Sequence, residues 1–528
     1  MNDSSRTRVS QIPELLRFVY RYAVPHTRAS LLQVSRSFFN TGIPIVWESI
    51  EGVHNLLQLI PDTHIIASAR GLSCKLIITL PLTLDLTRFN VYAHYVRSLE
   101  IYCPNHRILY DSITLVNWTN LSTHSRGYGL LPNLSRLSLK PLFGWEDDSE
   151  PFIWTRTFMS PTLTAIHLTA KTNRRRHMSF PVASTLLRHA VSICFNLREL
   201  SLIAPEHRMI QAPATLSTAL TFWDPSYYES LSSLPLRELC CSASILHPDN
   251  IHALAKLQFL ERLELHGDSE HEPATHTTPS SEMLPLLNTL TLIAERWSDI
   301  IGILKLSVYS GVKSLTIRVI ENYDDEMVVL DDALMTSLTV LITSCCPTLA
   351  NLEIDCGNDY FFSLEDASGF QALASLPLHS VSLKNITVPR SMLEKLVSFF
   401  PLANTIRIPD SSLDLTGLHY FSQLPNLVHL AIGLNVSPIG ASVPFQADPV
   451  FKGASGFQIL EIASSPANLT VDLSPLARYL LSVWPNLKQV DWTYGLGPEQ
   501  EDRERNIVIA NALNALVSTH RIISATNR

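Results

Sequence analysis

Along the chain, apolar residues recur in a short unit whose clearest copy is Leu134-x-x-Leu137-x-Leu139, followed by Lys140. The alternation at its end predicts a strand with Leu137 and Leu139 on one side and Ser138 and Lys140 on the other. Such a strand cannot bury its leucines alone, so it predicts stacked neighbours of the same kind. They are present: VRSLEI (96–101), LTAIHL (163–168), LRELSL (197–202), LRELCC (236–241), LERLEL (260–265), LNTLTL (287–292), VKSLTI (312–317), LANLEI (349–354), LHSVSL (378–383), ANTIRI (403–408), LVHLAI (427–432), FQILEI (457–462) and LKQVDW (487–492). With the first unit these make fourteen copies, starting 24 to 39 residues apart.

That period brackets and exceeds the roughly 20–29 residues of a leucine-rich repeat, and the irregularity predicts inserted helices and loops. The fold class expected is α/β, a leucine-rich-repeat solenoid with parallel strands on its concave face and helices on its convex face. The helices are read from apolar residues at i, i+3 and i+4: Leu186, Leu187, Ala190 and Val191; Leu334, Leu338, Leu341 and Cys345; Met392, Leu393, Leu396, Val397 and Phe400; Leu476, Tyr479, Leu480 and Val483. At the N-terminus, Leu15, Leu16, Val19 and Tyr22 predict one amphipathic helix after Pro13, and Leu31, Val34 and Phe38 a second, with Pro25 between them. IPIVWESI (43–50) is a strand candidate. PEQEDRER (498–505) reads as a polar loop, and Ile507 to Val517 as a closing helical cap. The domains expected are a helical module at 1–50, a linker and cap at 51–95, repeats over 96–497 and a polar loop with a helical cap at 498–528.

Composition narrows the function. The chain of 528 residues carries 40 Lys and Arg against 48 Asp and Glu, a net charge of −8, which argues against a nucleic-acid backbone or an anionic membrane as partner. The outward strand positions, from Glu100, Ser138 and His167 to Arg407, Glu461 and Asp491, mix both signs, where a nucleic-acid reader needs a basic stripe. Eight cysteines with no CxxC pair suit a reducing compartment, so the expected location is cytoplasmic or nuclear. The sequons at Asn117, Asn120, Asn133, Asn385, Asn435 and Asn468 then read as accidents of a Leu/Ser/Thr-rich repeat. No apolar run opens the chain as a signal peptide or is long enough to span a bilayer. Arg6, Arg8, Arg17, Arg21 and Arg28 hint at a transit peptide, but Asp3 and Glu14 interrupt it.

IPELLRFVY (12–20), ASLLQVSRSFF (29–39) and PIVWESI (44–50) resemble the F-box pattern. The departures are Ile12 for Leu, Ser35 for Cys, Phe38 for Trp, and the polar PHTRAS where the family usually has an acidic residue and leucine. With LDLTRFNVYAHYVRSLEIY (84–102) and the repeats, the chain resembles fungal F-box proteins with leucine-rich repeats. That resemblance implies a non-catalytic substrate receptor of a cullin-RING ubiquitin ligase. Ile12, Pro13, Leu15, Leu16, Val19, Leu31, Val34 and Phe38 would dock on the ligase's adaptor subunit, and the repeats would hold an unknown protein substrate. Two other readings stay open: a repeat scaffold whose first helices are only a cap, and an enzyme hidden among the repeats.

Candidate chemistry is sparse. Trp145 and Trp154 in one insertion, and Trp223, Tyr227 and Tyr228 in another, are candidate substrate anchors, the alternative being that they plug their insertions onto the core. HEPATH (271–276) departs from HExxH by one residue and a Pro, so His266, His271 and His276 are read as loop residues; no metal site and no cofactor are expected. P-loop, GxSxG and strand-following GxGxxG motifs are absent. Lys171 to Arg176 reads as a solvated basic loop.

Overall fold

The computed structural model describes residues 12–70, 73–103, 112–124, 129–141, 149–169, 178–204, 225–247, 250–267, 284–306, 309–320, 332–357, 362–363, 367–434, 456–463, 473–492 and 500–526. The chain divides into two compact units, Met1–Glu261 and Arg262–Arg528.

All fourteen repeat units are strands, and within each unit they pair in parallel. In the first unit the apolar positions Ile50, Leu99, Leu137, Ile166, Leu200 and Leu239 align across the sheet. In the second, Leu263, Leu290, Leu315, Leu352, Val381, Ile406, Leu430, Leu460 and Val490 do the same. Every one of these residues is buried. The ladder of identical positions, one per repeat, makes this a leucine-rich-repeat fold.

A turn recurs before the strands. Leu134 N–H donates to Leu131 O at 3.1 Å, Leu197 to Cys194 at 3.0 Å, Leu349 to Cys346 at 3.1 Å and Leu487 to Trp484 at 3.1 Å. The next two amides then reach back to one carbonyl of the preceding repeat: Thr164 and Ala165 donate to Ser135 O at 2.8 and 3.0 Å, and Arg198 and Glu199 to Thr164 O at 2.8 and 3.0 Å. The turn thus consumes the backbone donors at the strand entry and sets the register of the next copy.

Helices form a second layer. In the first unit Ser149–Phe158, Phe180–Ile193, Pro225–Ser232 and Ile251–Ala255 pack in succession; in the second, Trp297–Leu306 packs on Asp332–Cys345. Leu186, Leu187 and Ala190 are buried as the spacing predicted. In Asp332–Cys345 the buried face is Met335, Leu338, Thr339, Ile342 and Cys345, so Leu334 and Leu341 lie to its side. Arg390–Ser398 and Ser474–Val483 bury Leu393, Leu396 and Val397, and Leu476 and Leu480.

The N-terminal module has three helices, α1 Pro13–Tyr22, α2 Pro25–Leu31 and α3 Arg36–Val46. Pro13 and Pro25 sit in the first turns of α1 and α2, where a missing N–H costs nothing. Two expectations change here. Leu31, Val34 and Phe38 do not share a helix, because Ser35 starts α3 by accepting the Phe38 amide at 3.3 Å. Residues 43–46 close that helix, and the strand is only Ser49–Glu51, which pairs with Ser98–Glu100.

Residues 51–95 are also more than a linker. His64–Arg70 and Ser73–Thr79 form an antiparallel hairpin, and Ser112–Val116 adds in parallel to its second strand, giving a separate three-stranded sheet. At the other end, one helix runs Gln500–Thr526, so 500–505 belongs to it and is not a loop. Its Asn514 accepts the Val490 amide at 2.7 Å and donates to the Val490 carbonyl at 2.9 Å. One side chain there does what a further strand would do for Gln489–Trp492.

Candidate functional site

Among the described residues, exposed large apolar side chains cluster most densely in the N-terminal module. Helix α1 splits its apolar residues between two faces. Leu16 (3% exposed) and Tyr20 (0%), one turn apart, turn inward against α3. Tyr20 packs 6.3 Å from the Phe38 ring, and its hydroxyl donates to Phe38 O at 3.0 Å. A Cβ at Gly42 would collide with the Tyr20 ring, so the glycine is what lets α3 accept it. Arg28 Nε donates to Ala23 O at 2.8 Å and its terminal nitrogen to Arg21 O at 3.1 Å, which binds α2 to the carbonyl end of α1.

The other face of α1 is left to solvent. Ile12, Leu15 (43% exposed), Val19 (46%) and Tyr22 (82%) form a stripe at i, i+3, i+7 and i+10, and Phe18 stacks on Tyr22 at 6.0 Å. Pro13 and Val34 are exposed too, and Leu31 and Phe38 are half-buried. Of the residues proposed from sequence for adaptor docking, Leu16 therefore lies inside the module and is not presented to a partner. Phe18, Tyr22, Val24 and Phe39, also exposed, were not among them. The i, i+3, i+7 spacing from Leu15 was the signal for the first two. Trp47 stacks on Tyr92 at 4.5 Å, fixing the module to the start of the repeats.

Trp154, Tyr227 and Tyr228 are not exposed anchors. Trp154 is fully buried and stacked on Phe158 at 6.2 Å; Tyr227 packs 4.9 Å from Phe180; and the Tyr228 hydroxyl lies 3.3 Å from Ser244 Oγ. The reason is that Ser149–Phe158 and Pro225–Ser232 are helices of the second layer, whose inner faces need bulky residues to fill them. Trp145, Trp223, His271, His276, Lys171 to Arg176, Asn435 and Asn468 lie outside the described residues.

On the outward strand face, charged residues are tied to one another. Arg136 reaches Glu199 at 3.0 Å across the buried Ala165, and Arg407 reaches Glu461 at 3.1 Å across the buried Ala431. In both, an alanine on the middle strand leaves room for the pair to arch over it. Lys384 with Glu353 (2.6 Å) and Arg318 with Asp355 (3.4 Å) join neighbouring strands directly. Ser138, Ser382 and Ala431, read as outward positions, are outward in register but shielded by larger neighbours in their rows.

One contact on that face brings a nucleophile and a base together without any sequence motif. His167 Nδ1 lies 3.2 Å from Ser201 Oγ, and its Nε2 lies 3.5 Å from Glu199 Oε2. Burial, with Lys140 and Arg136 nearby, pushes His167 down to about 4, so it is neutral at pH 7 and a weak base. The Ser201 amide lies in a strand ladder and is not free to stabilise an oxyanion. The arrangement acts as a polar tie between repeats. In the second unit His266 Nε2 similarly meets Glu264 Oε1 at 2.7 Å.

Four sequon asparagines use their side-chain amides inside the fold. Asn117 donates to Leu80 O at 2.9 Å, Asn120 to Leu82 O at 3.1 Å, Asn133 to His94 O at 2.6 Å and Asn385 to Asp355 Oδ1 at 2.8 Å. Among the described residues seven cysteines are buried and in no disulfide, and burial pushes Cys194 and Cys346 up to about 12, far from the reactive range. No described helix is long and apolar enough to cross a membrane.

No family model and no curated protein matches the chain. Among solved structures it is similar to an internalin from Listeria monocytogenes, at 15% identity and a TM-score of 0.27, over 70% of this chain and 82% of that one. The leucine-rich-repeat assignment rests on the strand ladder described above.

Proposed function

We propose that this chain is a non-catalytic substrate receptor of a cullin-RING ubiquitin ligase, in the cytoplasm or nucleus, with α1–α3 docking on the adaptor subunit and the repeats holding a protein substrate. The observation that carries this reading is the unburied stripe Ile12, Leu15, Val19 and Tyr22 on a helix whose opposite face is already packed. A stripe of this kind on an amphipathic helix fits a partner groove. The F-box-like order of Pro13, Leu15, Val34 and Trp47 along the same module supports the adaptor as the owner of that groove.

A second reading, a repeat scaffold with no ligase connection, is favoured by the Trp47–Tyr92 stack and by the pairing of Ser49–Glu51 with Ser98–Glu100, which make the module a cap on the first repeats. Co-expression with the adaptor separates the two. Under the receptor reading the wild-type chain self-associates alone and is rescued by the adaptor, since a partner binding only the folded form adds stability. Leu15→Ala with Val19→Ala then abolishes co-purification and leaves far-UV circular dichroism unchanged. A wild-type chain that is monomeric and indifferent to the adaptor leaves the scaffold.

A further inference from the structure

The inner face of the helix Gln500–Thr526 is committed to the second unit. Ala510, Leu513 and Val517 are buried, the helix packs on Gln489–Trp492 and Ser474–Val483, and Asn514 holds both backbone groups of Val490. A helix that caps a solenoid ordinarily keeps its outer face polar, because that face meets water. Here the charge stops early. Five of the six residues 500–505 are charged, whereas from Asn506 to Thr526 the only Lys, Arg, Asp or Glu is Arg521. Ile507, Val508, Ile522 and Ile523 are exposed. With the exposed Ala515 they fall in an arc of about 160° on the side away from the buried residues.

The exposed residues mirror one another about Ala515. Seven residues outward lie Val508 on one side and Ile522 on the other, and eight residues outward lie Ile507 and Ile523. Asn511 and Thr519, both exposed, stand four residues out. We propose that this face is the interface of a homodimer, in which the helices of two copies pack antiparallel about a two-fold axis at Ala515. Such an axis sets every residue against its mirror position. Val508 meets the second copy's Ile522, and Ile507 meets its Ile523. The Asn511 amide donates to the second copy's Thr519 hydroxyl, which is left as an acceptor because its own proton goes to Ala515 O at 2.8 Å. The seven-residue spacing of Val508, Ala515 and Ile522 keeps one seam toward the partner, and alanine at the crossing lets the two helices approach closely. Because that seam carries no charge, pairing it with itself opposes no like charges. A partner of different sequence would have no use for the mirrored order; an identical copy uses all of it. The contact runs about 24 Å from Ile507 to Ile523, shorter than a standard interface, so the dimer is weak, with a dissociation constant of about 10 μM. The inference is independent of helices α1–α3 and of the adaptor reading.

The test is sedimentation velocity of the full chain between about 1 and about 100 μM, with Leu15→Ala and Val19→Ala throughout so that α1 adds no association of its own. The mass should rise toward two copies. Val508→Lys or Ile522→Glu alone sets a charge against an apolar side chain and should weaken association at least about tenfold. The two changes together should bring it back to within about threefold of the parent, because the axis brings each new cation to the anion of the other copy. Within one chain the two positions lie about 21 Å apart along the helix and cannot pair. Both are exposed, so the melting temperature of the monomer should not move. A chain that stays monomeric at about 100 μM overturns the proposal and leaves the face to a different protein. Association that either single change leaves intact, or a double variant that associates no more tightly than the single ones, overturns it too.

Discussion

Glu150 is the group through which pH acts most directly on this fold. It is 9% exposed at the start of Ser149–Phe158, and its Oε1 accepts both the Tyr102 hydroxyl at 2.6 Å and the Ile113 amide at 2.7 Å. One carboxyl thereby joins a helix, the end of a repeat strand and the small sheet. Burial pushes it up from 4.5 to about 7, against the opposing pull of the Tyr102, Ile113 and Trp154 hydrogen bonds and of Lys75. The folded state therefore holds the proton more tightly than the unfolded chain. Glu150 contributes stability that is fully present below 4.5 and is lost as pH rises through about 7. The gap corresponds to about 3 kcal/mol.

Glu150→Gln keeps an acceptor at the same place and removes the titration. The opening free energy of the Ile113 amide, from hydrogen exchange corrected for intrinsic rates, should fall between about pH 5 and about pH 8 by about 3 kcal/mol more in the wild type than in the variant. Parallel profiles for the two proteins, or a wild-type value that rises with pH in that window, refute the reasoning.

Leu290→Ala and Leu352→Ala should each destabilise by ~2–5 kcal/mol in denaturant titrations, because both residues are buried in the ladder, whereas Thr291→Ala and Glu353→Ala should cost well under ~1 kcal/mol. Equal costs at the two kinds of position contradict the register. The melting temperature should be the same with and without a thiol reductant, since seven of the eight cysteines are in no disulfide. Asn514→Leu should cost about 1–3 kcal/mol, by leaving the Val490 amide and carbonyl without their partner, and should speed exchange at Val490 before other strand amides.

The repeat strands were legible because each copy ends in an alternation that only one side of a sheet satisfies. Ser49–Glu51 overlapped the strand candidate at 43–50 but was hidden as a copy of the repeat, because Gly52 stands where the next copy has Ile101. That glycine, at φ 83°, makes the turn into Val53–Leu57 while its amide bonds Glu100 O at 2.9 Å. The hairpin at 64–79 was hidden by adjacent Ile65 and Ile66, which break a simple alternation although they point to opposite faces. QEDRER was read as a loop for its polarity, yet Gln, Glu and Arg are good helix formers and the helix begins there. Burial of Trp154, Tyr227 and Tyr228 was not readable at all, since an aromatic residue in an insertion looks the same whether it points at solvent or at the next helix.

The sidedness of α1 belongs to a different category, because its signal lay far away in the sequence. Leu15 and Leu16 are adjacent and both apolar, and a helical wheel places them about 100° apart without saying which faces the module. What decides is Tyr20, one turn after Leu16, whose ring needs a gap on α3 that only Gly42 provides. Tyr20 and Gly42 together send Leu16 inward, and Leu15 and Val19 follow outward by geometry. A test of docking through Leu16 would accordingly mislead. Its substitution by Ala opens a cavity at a buried position of the module at a cost of ~2–5 kcal/mol, so lost adaptor binding would report a destabilised module. Leu15 and Val19, already in solvent, can be removed with the module intact, and a loss of binding there reads the surface alone.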